Sequence, residues 1–213
     1  MKAAKEVIKY GADSITIHVR EDQRHVNKKD AILLKKKIKK PINLEMAPTI
    51  AMVNFALKLK PKFVCIVPEK RREVTTEGGL NLNQKNLKIL INKLKKNNIE
   101  VSLFINPSIK DIRNSYKLGA NAIEIHTGSF AKAIKAKNKS KTNYEFDKIK
   151  KCKLECDKTK MKFNLGHGLN YESTKYLNKI KNINEYNIGH FIIGESLFDG
   201  FPKVIKKFKR LIS

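Results

Sequence analysis

A chain of 213 residues can bury one substantial core, and α/β barrels of this size are commonly single domains. Its formal charge is +26, yet only six of the 46 basic residues are arginine and the lysines are spread over nearly every polar segment, a diffuse excess that argues against a nucleic-acid partner. The three cysteines fit neither a disulfide framework nor a zinc finger, and no apolar run approaches the roughly 20 residues of a membrane span, so a cytoplasmic protein without metal or membrane partner is expected.

In chain order, residues 2–10 carry helical spacing, and 14–19 alternate as a strand that ends in His18, Val19, Arg20 and Glu21, with His25 soon after. Alternation puts His18 and Arg20 on one face and Val19 on the other. Histidine can pass protons near neutral pH and arginine can clamp a phosphate; a surface ion cluster with Glu21 and Asp22 is the plain alternative. A helix over 30–40 leads to a strand over 42–46, where Glu45 stands inside an otherwise apolar run. A carboxylate there must be paired, neutralised or poised for proton transfer, and a structural salt bridge would also satisfy it.

The spacing predicts a helix over 48–60, with Ile50, Val53, Leu57 and Leu59 near one face and Pro61 beyond its end, then a strand over 63–67. The polar stretch 67–79 is long for a strand-to-helix connection. Its hydroxyls at Thr75 and Thr76 and its Gly78-Gly79 pair suit a lid over a phosphorylated ligand, or else a solvated loop. After a helix over 84–98 and a strand over 101–105, Ser108 and Gly119 cap a helix over 108–118. The strand over 122–126 puts Glu124 and His126 on one face. A helix over 145–160 carries Cys152 and Cys156 one turn apart, as expected of small buried hydrophobes. Strands over 162–165 and 188–193 come with Gly166-His167-Gly168 and Gly189-His190, and helices follow over 172–181 and 197–212.

Strand and helix thus alternate at intervals that call for parallel strands with helical crossovers. A glycine-rich dinucleotide fingerprint is missing after the first strand, and nearly every strand adds chemistry at its C-terminal end. Those ends share one mouth in a barrel, whereas an open sheet gathers ligands at one switch point.

His-Val-Arg-Glu-Asp at 18–22 with His25, Asn-Leu-Glu-Met at 43–46, Val-Pro-Glu-Lys-Arg at 67–71, Val-Thr-Thr-Glu-Gly-Gly at 74–79, Glu-Ile-His-Thr-Gly at 124–128, Gly-His-Gly-Leu-Asn-Tyr at 166–171 and Asn-Ile-Gly-His at 187–190 together resemble the pyridoxine 5′-phosphate synthase family, in the family's order and over almost the whole chain. The resemblance implies a (β/α)₈ TIM barrel, a single domain over 1–213, that condenses 1-deoxy-D-xylulose 5-phosphate with 3-amino-2-oxopropyl phosphate to pyridoxine 5′-phosphate, phosphate and water. It implies no cofactor and a homo-oligomer, an octamer in the family. On the matching positions, His18 and Glu45 are the implied proton acceptors, His167 the proton donor and Glu124 the stabiliser of a charged transition state. Arg20, His25 and Thr75 match the pentulose phosphate site, and Gly168, Gly189 and His190 match the aminoketone phosphate site.

One departure stands out: seven strands are visible, and the first strand of the family, with an asparagine and an Asp-His pair, has no counterpart ahead of the helix at 2–10. On this reading the barrel has an open seam, and low stability and little activity are expected of the chain as written. The competing readings are a different sugar-phosphate aldolase or isomerase of the barrel class, and an inactive remnant of the synthase. A Schiff-base aldolase would require a lysine inside a strand, and Lys62 and Lys162 stand only at strand starts.

Overall fold

The computed structural model describes residues 1–69 and 78–213. The elements run α1 (Lys2–Lys9), β1 (Ile15–His18), α2 (Lys28–Lys37), β2 (Ile42–Met46), α3 (Ile50–Leu59), β3 (Phe63–Ile66), α4 (Leu87–Lys95), β4 (Glu100–Ile105), α5 (Ile109–Leu118), β5 (Ala122–His126), α6 (Gly128–Lys135), α7 (Lys139–Cys156), β6 (Lys162–Gly166), α8 (Tyr171–Leu177), β7 (Glu185–Asn187) and α9 (His190–Ile212).

The seven strands of the described residues form one parallel sheet in chain order, a near-closed barrel of the TIM type. Among the described residues β1 and β7 are its two edges, and they approach closely enough for the Thr16 hydroxyl to donate to Asn187 Oδ1 at 2.8 Å. Side chains, where a barrel normally has a backbone ladder, bridge the seam.

Strand alternation separates two interiors. Leu44, Val64, Ile66, Leu103, Ile123 and Leu165 are fully buried in the main apolar cluster between sheet and helices. Each such side chain contributes roughly 1.5–3 kcal/mol by leaving water. The residues between them face the lumen, which is polar except for a small separate cluster of Cys65, Val67 and Phe104. A core strand of an ordinary sheet would not spend every second residue this way, so the lumen is where function must be sought.

Local chemistry explains most helix ends. Thr49 caps α3, Ser108 caps α5, and capping boxes open α2 at Asn27 and α8 at Asn170. Gly119 closes α5 with φ +84°, and Lys60 takes a left-handed conformation just before Pro61. Both Cys152 and Cys156 are buried on α7, as their spacing predicts.

Three expectations are corrected. Residues 188–193 are not a strand: β7 lies earlier, at 185–187, and Gly189 caps a helix that starts at His190. The apolar run from Ile188 to Ile193 has strand-like composition, but it serves the first turn of α9, which then bends at Gly200 with φ +72°. α6 falls in a stretch where no helix is predicted. On α3, Ile50 is 62% exposed, while Met52, Val53, Phe55, Ala56 and Leu59 form the buried face.

Candidate active site

The mouth is built around His18, the last residue of β1. Its Nε2 lies 3.0 Å from Glu69 Oε1 and its Nδ1 3.6 Å from Glu45 Oε2. Strand register places His18 beside Glu45, and Glu69 arrives from the end of the third strand. The two carboxylates differ. Burial pushes the Glu45 carboxyl above its ordinary value, against a smaller opposing pull from His18. Burial also raises Glu69, but the hydrogen bond from His18 and one from the Glu21 N–H, at 3.2 Å, outweigh it and hold Glu69 below its ordinary value. One imidazole therefore stands between a carboxyl that keeps its proton more readily and one that gives it up. Sequence assigns Glu69 no role, although a carboxylate soon after the apolar run at 63–67 is a signal akin to Glu45 inside its own apolar run.

Deeper in the lumen, Glu124 is 2% exposed and its Oε2 accepts from Asn187 Nδ2 at 2.9 Å, with Cys65 Sγ 3.7 Å away. Burial, together with the charges of Glu45 and Glu185, pushes its carboxyl well above the ordinary range. A carboxylic acid kept neutral can donate a hydrogen bond to charge developing beside it. Gly166 makes its placement possible: a Cβ there would stand 1.9 Å from Glu124 Oε1.

At the opposite side of the mouth the His126 and His167 rings lie 4.7 Å apart, and Phe104 packs edge-on to both. Burial, then the neighbouring His167, lowers His126 to about 4, so this ring is neutral at ordinary pH. His167 and Gly168 both take positive φ, +75° and +76°, in the turn after β6.

The remaining predicted residues are more scattered. Arg20 is 3% exposed, yet its Nε lies 3.7 Å from Oδ1 of the exposed Asp22, which also pairs with Arg24, so the buried guanidinium is joined to the ion cluster at the surface. His25 is exposed on the connection to α2. Gly189 and His190 are exposed at the start of α9, and a Cβ at Gly189 would meet nothing within 4 Å. Thr75 and most of the predicted lid lie outside the described residues. Lys62 and Lys162 both pair with Glu100 at the other end of the barrel, away from the mouth.

A parallel barrel of the TIM type that gathers imidazoles, carboxyls and a buried arginine at the C-terminal ends of its strands has the groups that acid–base chemistry requires. Solved barrels agree on the fold: thiamine phosphate pyrophosphorylase from Pyrococcus furiosus superposes with a TM-score of 0.66 at 10% identity over 99% of this chain and 88% of its own. N-(5'-phosphoribosyl)anthranilate isomerase from the same organism gives 0.64 at 13% over 100% and 93%. The family profile described as pyridoxal phosphate biosynthesis protein PdxJ matches residues 1–213, and the chain belongs to that family. Pyridoxine 5'-phosphate synthase of Pelagibacter ubique is 50% identical over 98% of this chain and 87% of its own length. Its counterpart in a Sulfurihydrogenibium species is 46% identical over 100% and 88%. The chain is thus an enzyme of vitamin B6 biosynthesis, and among its described residues no helix is long and apolar enough to cross a membrane.

Proposed function

We propose that this enzyme condenses 1-deoxy-D-xylulose 5-phosphate with 3-amino-2-oxopropyl phosphate, releasing phosphate and water and forming pyridoxine 5′-phosphate. The observation that carries this reading is His18 held between Glu45 and Glu69, 3.6 and 3.0 Å away, whose carboxyls are shifted in opposite directions. Joining an amine to a ketone, expelling two leaving groups and closing an aromatic ring need proton transfers at several atoms, hence several acids and bases around one pocket.

Glu69 holds the His18 ring in orientation, and His18 and Glu45 take protons from the condensing carbons. Glu124, whose buried carboxyl keeps its proton more readily than usual, donates to the oxyanion that develops as the ring closes. His167 returns a proton to the departing oxygen. Arg20 holds the pentulose phosphate together with His25 and Thr75. Backbone N–H groups at Gly168, and at Gly189 and His190 at the start of α9, receive the aminoketone phosphate. The reading includes a cytoplasmic location and a homo-oligomer, an octamer as in the family.

The test is to incubate the purified chain with both substrates and follow pyridoxine 5′-phosphate by fluorescence and released phosphate by a colorimetric assay. Both products appear in step if the reading holds. Phosphate release without pyridoxine 5′-phosphate, or product formation unaffected by His18→Ala, defeats it.

A further inference from the structure

His167 is one of the few residues other than glycine with a positive φ, +75°, a backbone region that side chains with a Cβ enter only when their surroundings hold them there. What holds it is Thr127, fully buried at the end of the neighbouring strand β5. The Thr127 N–H donates to the Gly166 carbonyl at 2.9 Å. Its Oγ1 lies 2.8 Å from that same carbonyl oxygen and 2.6 Å from the His167 carbonyl oxygen, so one hydroxyl proton serves both acceptors. Two successive carbonyls of the turn after β6 are thus fastened to a single residue.

Thr127 occupies the N-cap of α6, where a threonine hydroxyl ordinarily accepts from a backbone N–H of the first turn. It makes no such bond here. The hydroxyl is turned away from its own helix and toward the His167 turn. Its neighbours complete the grip: the His126 ring lies against His167 at 4.7 Å, and Gly128 leaves room for both, since a Cβ there would stand 2.8 Å from His126 Nε2 and 3.2 Å from His167 Cδ2.

We propose that Thr127 is a positioning residue for His167, its hydroxyl fixing the strained backbone that aims the imidazole into the mouth. The inference rests on the reading of His167 as proton donor. Because the His126 ring stays neutral at ordinary pH, it supports the His167 ring without repelling its protonated form.

Thr127→Val keeps the shape and the N–H bond but loses the hydroxyl, and Thr127→Ser restores it. With all histidine rings ¹³C-labelled and His167 assigned through His167→Ala, Thr127→Val is expected to move or split the His167 ring resonance, and Thr127→Ser to return it. In turnover, Thr127→Val should lower kcat roughly 10- to 100-fold with KM changed less than about threefold, and the serine variant should recover most of it. A hydroxyl that merely satisfies buried carbonyls would lower the thermal midpoint and leave the His167 resonance and kcat within twofold of wild type; that result overturns the proposal. Should the resonance move while His167→Ala turns over normally, Thr127 still positions His167, and the proton-donor reading is what fails.

Discussion

At the floor of the barrel Glu100 lies 3.2 Å from the Lys62 ammonium and 2.6 Å from that of Lys162. Partial burial raises its carboxyl, but the two lysines outweigh that and hold it below its ordinary value. Inside the barrel Glu45 and Glu124 are pushed the other way, chiefly because burial removes water from both and, at Glu124, because Glu45 and Glu185 add like charge; the His18 imidazole at Glu45 and the Cys65 thiol and Asn187 amide at Glu124 offset only part of this. Glutamate at a strand end thus has opposite chemistry at the two ends. Permanently charged partners in contact with water keep a carboxylate ionised, whereas burial among titratable partners suits it to carrying a proton. The floor also opens into a cavity of about 240 Å³ lined by Asn43, Ser102, Asn164 and Glu185, so room for a small molecule does not by itself distinguish the two ends.

The sharpest way to break this contrast is at the mouth. Glu45→Gln keeps shape and hydrogen bonding but cannot exchange a proton, and turnover should fall about 10²–10⁴-fold with the circular dichroism spectrum unchanged. Full activity in that variant would put Glu45 on the same footing as Glu100. Gly166→Ala comes next. Its Cβ would occupy the place of Glu124 Oε1, 1.9 Å away, so the expected outcome is a stability loss of about 1–3 kcal/mol and a fall in turnover of roughly 10²-fold. Denaturant titration and steady-state rates measure the two effects separately.

Smaller effects test the signs. Glu124 has a raised folded value, so the folded protein keeps a proton that the unfolded chain releases in the ordinary carboxylate range. The stability linked to that proton is fully present below the unfolded value and is lost as pH climbs through the folded one. Urea midpoints taken from pH 5 to 9 should therefore decline less steeply in Glu124→Gln than in wild type, and superimposable curves would show that Glu124 is ionised after all. Glu100 has a lowered folded value, so its contribution is present above the unfolded value and is lost as pH falls through the folded one. Glu100→Gln should flatten the acid side of the same profile by no more than about 1 kcal/mol and leave turnover untouched.

Much of this was legible in the order of residues. Six of the seven strands lie where apolar alternation puts them, and Ser108 and Gly119 bound α5 by local chemistry alone. The seventh strand escapes the sequence because only three of its residues pair with β6, too few for a period-two signal, while the apolar run that follows belongs to a helix. Sequence puts no helix over α6, although Ala131, Ala133 and Ile134 are ordinary helix residues, since the element is only eight residues long and opens on Gly128, a poor helix former.

Sequence alone determined the parallel alternation, the polar residue at the end of each strand, and the lineage that their order spells out. These are local properties, set by periodicity and by what a buried strand cannot tolerate without reason. Only the tertiary structure decided that Glu69 reaches His18, that Gly166 is vacant space for Glu124, and that Thr127 grips the turn carrying His167. These contacts join residues 40 to 51 positions apart: the pairing of β5 with β6 brings two of them together, and the sheet carries His18 across β2 to Glu69. The direction of each pKa shift was settled in the same way, by which neighbours and how little water the closed lumen leaves around each carboxyl.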